Sequence, residues 1–333
     1  MKFVRDPVHG EILVPDDLLP ILDHPLMQRL RRIRQLAFAE LVYPGATHTR
    51  FSHSLGVMHI TARANADSAL LAYALIHDAG HGPFSHLSEI ALRRIGYSFD
   101  HEERLREIAK TILEDSVFSP KEVLDHPERA LVDGGVGSDR LDYLRRDSYF
   151  AGIQVGEVAW DRIMRNATVE KGKLMVAEKV ISNVEHVFVA RFILGDALYF
   201  HKTVLIADEM FTKAIEELAE QYSPREITEM DDYQLFAVLD KSSIVWWERI
   251  RQRKLFKRVF VGNREEAKEA YEKFVEKLGE DKVLLGHRPT WYKEPKVFLP
   301  DGTPIEEVSP LVASLKAAEA KREHWFVAID QKR

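Results

Sequence analysis

Five histidines, His53, His77, His81, His86 and His101, fall within 49 positions of a 333-residue chain that has no cysteine at all. Helical patterns carry them, so the fold either gathers these imidazoles at one place or scatters them over a surface. Gly80 and Gly82 free the backbone between two of them. The missing cysteine removes disulfides, thiolate nucleophiles and cysteine-held zinc together. Only His, Asp and Glu remain as metal ligands.

The helical reading is specific. Pro25 opens a helix at the favoured first position, with Leu26, Leu30 and Ile33 on one face. A second pattern follows His53, and a third runs from Ser68 to Ala79 with Gly80 as its C-cap. Pro83 starts another, ending near Gly96, and Asp100 caps the next through about Ile112. Ser138 caps a helix towards Tyr149, Lys171-Gly172 turns a short hairpin, and a long helix spans Ile181 to Tyr222. Beyond residue 255 the character changes. Val259–Val261, Lys282–Leu285, Val297–Leu299 and Trp325–Ile329 favour strands around a charged helix, Glu265–Leu278. The expected fold is mainly α, a helical bundle over residues 1–254 with a small α+β appendage over 255–333.

The chain is 45% hydrophobic and 30% charged, enough to bury a core. A net charge of −6 does not favour nucleic acid as the main partner. The arginines at 29, 31, 32 and 34 read as a solvated helix face or as a phosphate grip, the former being commoner. The longest apolar run, Ala69–Ile76, is far short of the roughly 20 residues that span a membrane. With no apolar stretch of signal-peptide type near Met1, a cytoplasmic location is expected.

His53, the pair His77-Asp78 and Asp139 make a mixed nitrogen and oxygen set that suits Mn, Fe, Ni, Co or Zn. Asp78, placed in the last turn of its helix, meets the negative end of the dipole, which a bound cation would offset. Taken alone the pair reads equally as a buried histidine beside a solvated acid. Asp139, Tyr143, Arg146 and Asp147 share one helical face, either a cleft wall or a solvated face of paired charges.

The segments Asp6 to Gly10, Gln28 to Arg31, Arg34 to Leu36, Tyr43 to Ala46, Arg50 to Val57, His77 to His86 and Asp139 to Asp147 stand in the order found in the HD-domain phosphohydrolases. The chain resembles most the deoxynucleoside triphosphate triphosphohydrolases of the SAM-and-HD-domain type, over roughly residues 4–205 and without a SAM domain. The resemblance implies one divalent ion (Mn, Fe, Ni, Co, Zn or Mg) on His53, His77, Asp78 and Asp139. It implies that His81, His101 and Asp147 are catalytic, with His101 the general acid for the leaving 5′ oxygen. Arg50, His86, Arg140, Arg191, Tyr199 and Lys202 would meet the nucleotide, Gln35 and Leu36 the deoxyribose, and Tyr143 with Asp147 would close around the sugar. The implied activity is hydrolysis of a dNTP to deoxynucleoside and inorganic triphosphate, in a homo-oligomer. A nucleoside monophosphatase or another HD phosphomonoesterase shares the same ligands. A catalytically silent nucleotide-binding scaffold is the alternative of another class. Gly195, Asp196 and Ala197 stand where the family has a histidine and basic residues, and Glu89 where it has an aspartate.

Overall fold

The computed structural model describes residues 1–290 and 297–330. The protein is mainly α-helical, with small sheets. A hairpin opens it, β1 (Lys2–Asp6) against β2 (Gly10–Val14), antiparallel from Lys2↔Val14 to Asp6↔Gly10. Five helices then build the histidine-bearing part: α1 (Arg50–Thr61), α2 (Ser68–Ile76), α3 (His86–Arg94), α4 (His101–Ile112) and α5 (Ser138–Ala151). The hairpin β3 (Ala167–Glu170) and β4 (Lys173–Val176) turns at Lys171-Gly172 as expected. Next come α6 (Ile181–Leu194) and α7 (Lys202–Leu218). The C-terminal sheet has the order β5 (Lys257–Gly262), β7 (His324–Ile329), β6 (Val283–Arg288), all antiparallel, and α8 (Arg264–Leu278) packs on it.

Apolar periodicity explains the core. α1 and α2 are buried on nearly every face, and α1 packs between α2 and α5. Val57, Ile60, Leu70, Leu75, Leu141 and Leu144 fill that contact. A second cluster joins α3 and α7 to the C-terminal sheet through Phe84, Leu92, Phe211, Leu284 and Phe326. Removing such side chains from water is the main force holding these layers, at about 25 cal/mol per Å² of apolar surface.

Several expected boundaries are wrong, each for a local reason. α2 ends at Ile76, because His77 turns back and its Nδ1 donates to the Ala74 carbonyl at 2.8 Å. Pro83 does not start a helix: Phe84 and Ser85 both adopt left-handed φ, near 58° and 59°, and α3 begins at His86. Ser138 is not the cap of α5, since Gly137 holds that position and the Ser138 hydroxyl meets Thr61 Oγ1 at 2.6 Å. The long helix is broken by a π-turn, Gly195–Tyr199, and by extended His201 before α7. Val297–Leu299 is no strand; Phe298 alone bridges, to Met175 and Pro304. Asp100 caps α4 as expected, accepting from the amides of Glu102 and Glu103.

Candidate active site

Packing α1 on α5 sets His53 Nε2 3.0 Å from Asp139 Oδ1. The turn after α2 brings His77 Nε2 to 3.4 Å from Asp78 Oδ1 and 3.9 Å from Asp139 Oδ1. Asp78 Oδ2 lies 3.6 Å from His53 Nε2. One ligand atom each from His53, His77 and Asp139 falls within 4.8 Å of the others. The four side chains singled out in the sequence therefore meet. Asp78, however, lies just beyond the end of α2 rather than in its last turn. Arg50 Nη1 at 2.8 Å fixes it.

The donor set fits a divalent cation. Because the His77 Nδ1–H is spent on Ala74, its neutral form turns a lone pair at Nε2 towards two carboxylates, and that buried atom has no hydrogen-bond partner among the described residues. Burial would raise Asp78, but Arg50 and the flanking histidines hold its carboxyl well below the usual range. Burial opposes charge on His53, yet its hydrogen bonds to Asp139 and Asp142 raise its pKa to about 10. His77 Nε2 thus offers a lone pair and Asp78 and Asp139 offer anionic oxygens, and a hard or borderline cation would take the place of the proton on His53 Nε2.

Behind this set lies a network that the sequence did not reveal. Asp142, fully buried, accepts from His53 Nδ1 at 2.7 Å, His9 Nε2 at 2.6 Å and Arg146 Nε at 2.8 Å. Arg146 Nη1 also donates to Asp6 at 2.8 Å. Arg146 was expected on a cleft wall with Asp139, Tyr143 and Asp147; it is fully buried in this network instead. The signal was present as the i,i+4 pair Asp142–Arg146, which looks like any helix-surface pair until α1 covers it.

Beside the ligand set, Glu89 Oε1 accepts from His101 Nδ1 at 2.8 Å, and His86 Nδ1 and His81 Nδ1 lie further off, at 3.4 and 3.5 Å. The His81 and His101 rings stack in parallel at 3.9 Å, so no single ion lies in both ring planes. Burial disfavours charge on both, but the Glu89 carboxylate raises the pKa of His101, while Arg50 and His101 push His81 further down. One proton is thereby placed on the outer ring of the stack. Gly80 makes this possible: a Cβ there would lie 2.0 Å from the His101 carbonyl oxygen and 2.8 Å from the Leu105 amide. Gly80→Ala is expected to lose about 2 kcal/mol of stability by overpacking. It should lower turnover more than stability alone explains, as paired thermal melts and rate assays would show.

A cavity of 580 Å³ holds these groups together. Gln35, Leu36, Arg50, His77, Asp78, His81, His86, His101, Asp139, Tyr143, Asp147, Arg191 and Tyr199 line it. His53 stands behind, fully buried. Arg140 and Lys202 are not among the described lining residues: Arg140 binds Tyr143 Oη and the Gly135 carbonyl, and Lys202 is exposed at the start of α7. The oxygens of Asp147 are taken by His48 Nε2 at 2.8 Å and Tyr199 Oη at 2.7 Å, which fits it for positioning rather than proton transfer. His48 gave no sign of this in the sequence. Gln35 Oε1 is buried with no hydrogen-bond partner among the described residues. Burial lowers the Arg191 guanidinium to about 10, still charged at neutral pH.

The HD domain family profile matches residues 50–132, and that of an HD associated region matches 158–282. The chain is 36% identical to an uncharacterized protein of Methanocaldococcus jannaschii, over 99% of this chain and 79% of that one. The chain belongs to the HD-domain phosphohydrolase family. It superimposes with a TM-score of 0.78 on a phosphohydrolase from Bacteroides thetaiotaomicron, 26% identical over the whole of both chains. It is also 28% identical, over 77% of this chain, to the Dictyostelium discoideum homolog of the deoxynucleoside triphosphate triphosphohydrolase SAMHD1. There the match spans 59% of the relative's length. Among the described residues, no helix is long and apolar enough to cross a membrane.

Proposed function

We propose that this HD phosphohydrolase cleaves dNTPs at the α-phosphorus, giving a deoxynucleoside and inorganic triphosphate. The observation that carries the reading is one cavity combining the metal-ligand set with His101, whose Nδ1 lies 2.8 Å from Glu89 Oε1. Its volume suits a nucleotide, and the activity for which the Dictyostelium relative is named supports the substrate class.

His53, His77, Asp78 and Asp139 would hold one divalent ion. When bound, such an ion supplies Lewis acidity and lowers the pKa of water. Arg50 and Arg191 offer fixed positive charge where negative charge develops on the phosphoryl oxygens. His81, held neutral, offers a hydrogen bond or a lone pair there, and exposed His86 meets the outer phosphates. Water oxygen bonds to the α-phosphorus, the bond from that phosphorus to the 5′ oxygen breaks, and His101 Nε2 protonates the departing oxygen. Gln35, Leu36, Tyr143 and Tyr199 enclose the sugar, with Asp147 fixing Tyr199. The family resemblance extends this reading to a closed homo-oligomer, which sedimentation of the metal-loaded chain checks.

Chromatography of products from the four dNTPs with Mn, Mg, Co and Ni tests the reaction: triphosphate is expected, whereas orthophosphate released from monophosphates would overturn it. Binding without turnover under every metal would leave a scaffold. His101→Ala should retain the metal and lose about 10²–10⁴ in rate. The raised pKa of His101 places the alkaline limb of kcat above the ordinary imidazole value of about 6.5. Glu89→Gln should move that limb to lower pH; a pH profile that Glu89→Gln leaves in place would sink the acid assignment.

A further inference from the structure

Two segments of the cavity wall are tied to one acid that stands outside the cavity. Asp232 opens the helix Asp232–Lys241, within the part of the chain matched by the HD associated region. It is fully buried, and its two oxygens serve different segments. Oδ1 accepts from the Phe84 amide at 2.7 Å and Oδ2 from the Arg34 amide at 2.9 Å. Burial raises the carboxyl to about 7, with the two amides pulling the other way.

Phe84 and Ser85 both hold left-handed φ, near 58° and 59°, which residues with a Cβ adopt only at a cost. The surroundings must therefore hold this turn. Asp232 does so at the Phe84 amide, and Phe236, one helical turn further on, meets the Phe84 ring edge-on at 5.0 Å. From the turn the contacts run inward. Ser85 Oγ donates to the Arg34 carbonyl at 2.6 Å and accepts from Arg50 Nε at 2.8 Å. Arg50 Nη1 then reaches Asp78 at 2.8 Å. Arg34 is thus gripped at both its amide and its carbonyl, and Gln35 and Leu36 of the cavity wall follow it directly. Arg29 runs a second clamp beside the first, donating to the carbonyls of Thr228 at 3.0 Å and His81 at 2.8 Å.

We propose that Asp232 is a positioning residue. By holding the Arg34 and Phe84 amides together it sets Ser85, and through Ser85 it aims the Arg50 guanidinium at the phosphoryl group. The inference rests on the role given to Arg50 above and is independent of which nucleotide is cleaved.

Asp232→Asn tests it, because an amide of the same shape accepts from one backbone N–H and turns its own NH2 on the other. Ser85→Ala cuts the same line one step nearer the site. Both variants and their combination are assayed metal-loaded on the phosphoester that the parent cleaves, well below melting temperatures measured in parallel. The assays run near pH 8, where the Asp232 carboxyl is mainly charged. Each single change should lower kcat/KM by about 10- to 100-fold, as a group shifted by up to about 1 Å would. The loss should fall on kcat more than on KM, since Arg50 meets charge that develops in the transition state. The double variant should be no slower than the slower single one, because both changes cut one line of contacts. Asp231→Ala, which removes the cap of the same helix from the Gln234 amide, should melt earlier and keep its rate.

Penalties that multiply in the double variant overturn the proposal. So does an Asp232→Asn enzyme that melts lower at full rate, or an Asp231→Ala enzyme that loses as much rate as Asp232→Asn. Should Asp232→Asn not fold, Ser85→Ala decides alone, and an undiminished kcat there overturns the proposal. A parent that cleaves only a phosphoester other than a dNTP overturns the substrate reading, while the same comparison still decides this one. A parent inert towards every phosphoester overturns both.

Discussion

Asp142→Asn is expected to weaken metal binding by about 10–100-fold, although Asp142 touches no ion in the proposed site. Its Oδ2 takes the His53 Nδ1–H at 2.7 Å, which fixes the ring and leaves Nε2 for the cavity. The same carboxylate receives His9 and two nitrogens of Arg146. Burial opposes its charge, but Arg146 together with His53 and His9 holds the group well below the ordinary carboxylate range, so it stays an acceptor. An amide presents a donor where three donors already converge and leaves Arg146 with Asp6 as its remaining counter-ion. Breaking a buried pair in this way costs about 3–5 kcal/mol. Gly56 shows how tight the site is, since a Cβ there would lie 1.9 Å from Asp142 Oδ1. Competition with a chelator well below the melting temperature separates the two effects. Unchanged metal affinity in a destabilised variant would reduce Asp142 to a purely structural role.

The difference between Asp142 and its neighbour Asp139 marks where sequence reading stops. His53, His77-Asp78 and Asp139 could be singled out as a set, from the cluster of histidines and the order of segments shared with the family, and the helices that carry them follow from apolar periodicity. Asp142 and Arg146 are chemically no different from a solvated i,i+4 pair; only the packing of α1 over α5 makes them interior. Glu89 gains its meaning from three histidines that reach it from separate turns. The mainly helical fold and the C-terminal strands were readable from period and β-branched content. The opening hairpin was not, because Phe3 and Leu13 lie exposed on it and blur the alternation. The π-turn at Gly195 was hidden inside one continuous helical pattern, and tertiary partners explain why it breaks.

Those partners lead to the second large effect, expected of Arg288→Met. Arg288 on β6 is nearly fully buried, with Nη2 2.7 Å from Asp196 and Nη1 3.2 Å from Glu319 on α9 (Pro310–Ala320), and its guanidinium lies 4.7 Å from the centre of the Phe200 ring. Arg322 adds a second bond to Asp196 at 3.1 Å. The π-turn is thus clamped from the C-terminal segment just where the family's basic residues are replaced, and Tyr43 Oη holds it from the other side through the Ala197 carbonyl. Tyr199, the last residue of that turn, lines the cavity and donates to Asp147. Methionine keeps the packing of the stem but leaves Glu319, which is fully buried, with only the longer 3.5 Å contact to Arg322, at a cost of up to about 3–5 kcal/mol. A displaced Tyr199 should also lower kcat/KM, by up to about 10²-fold for a shift near 1 Å. The double variant Arg288→Met with Glu319→Leu removes the stranded charge, so it should regain most of the stability. It should not regain the activity, because Asp196 is left with Arg322 alone and Phe200 has lost the guanidinium beside its ring. Recovery of both together would mean that the C-terminal segment acts on the site only by keeping the chain folded.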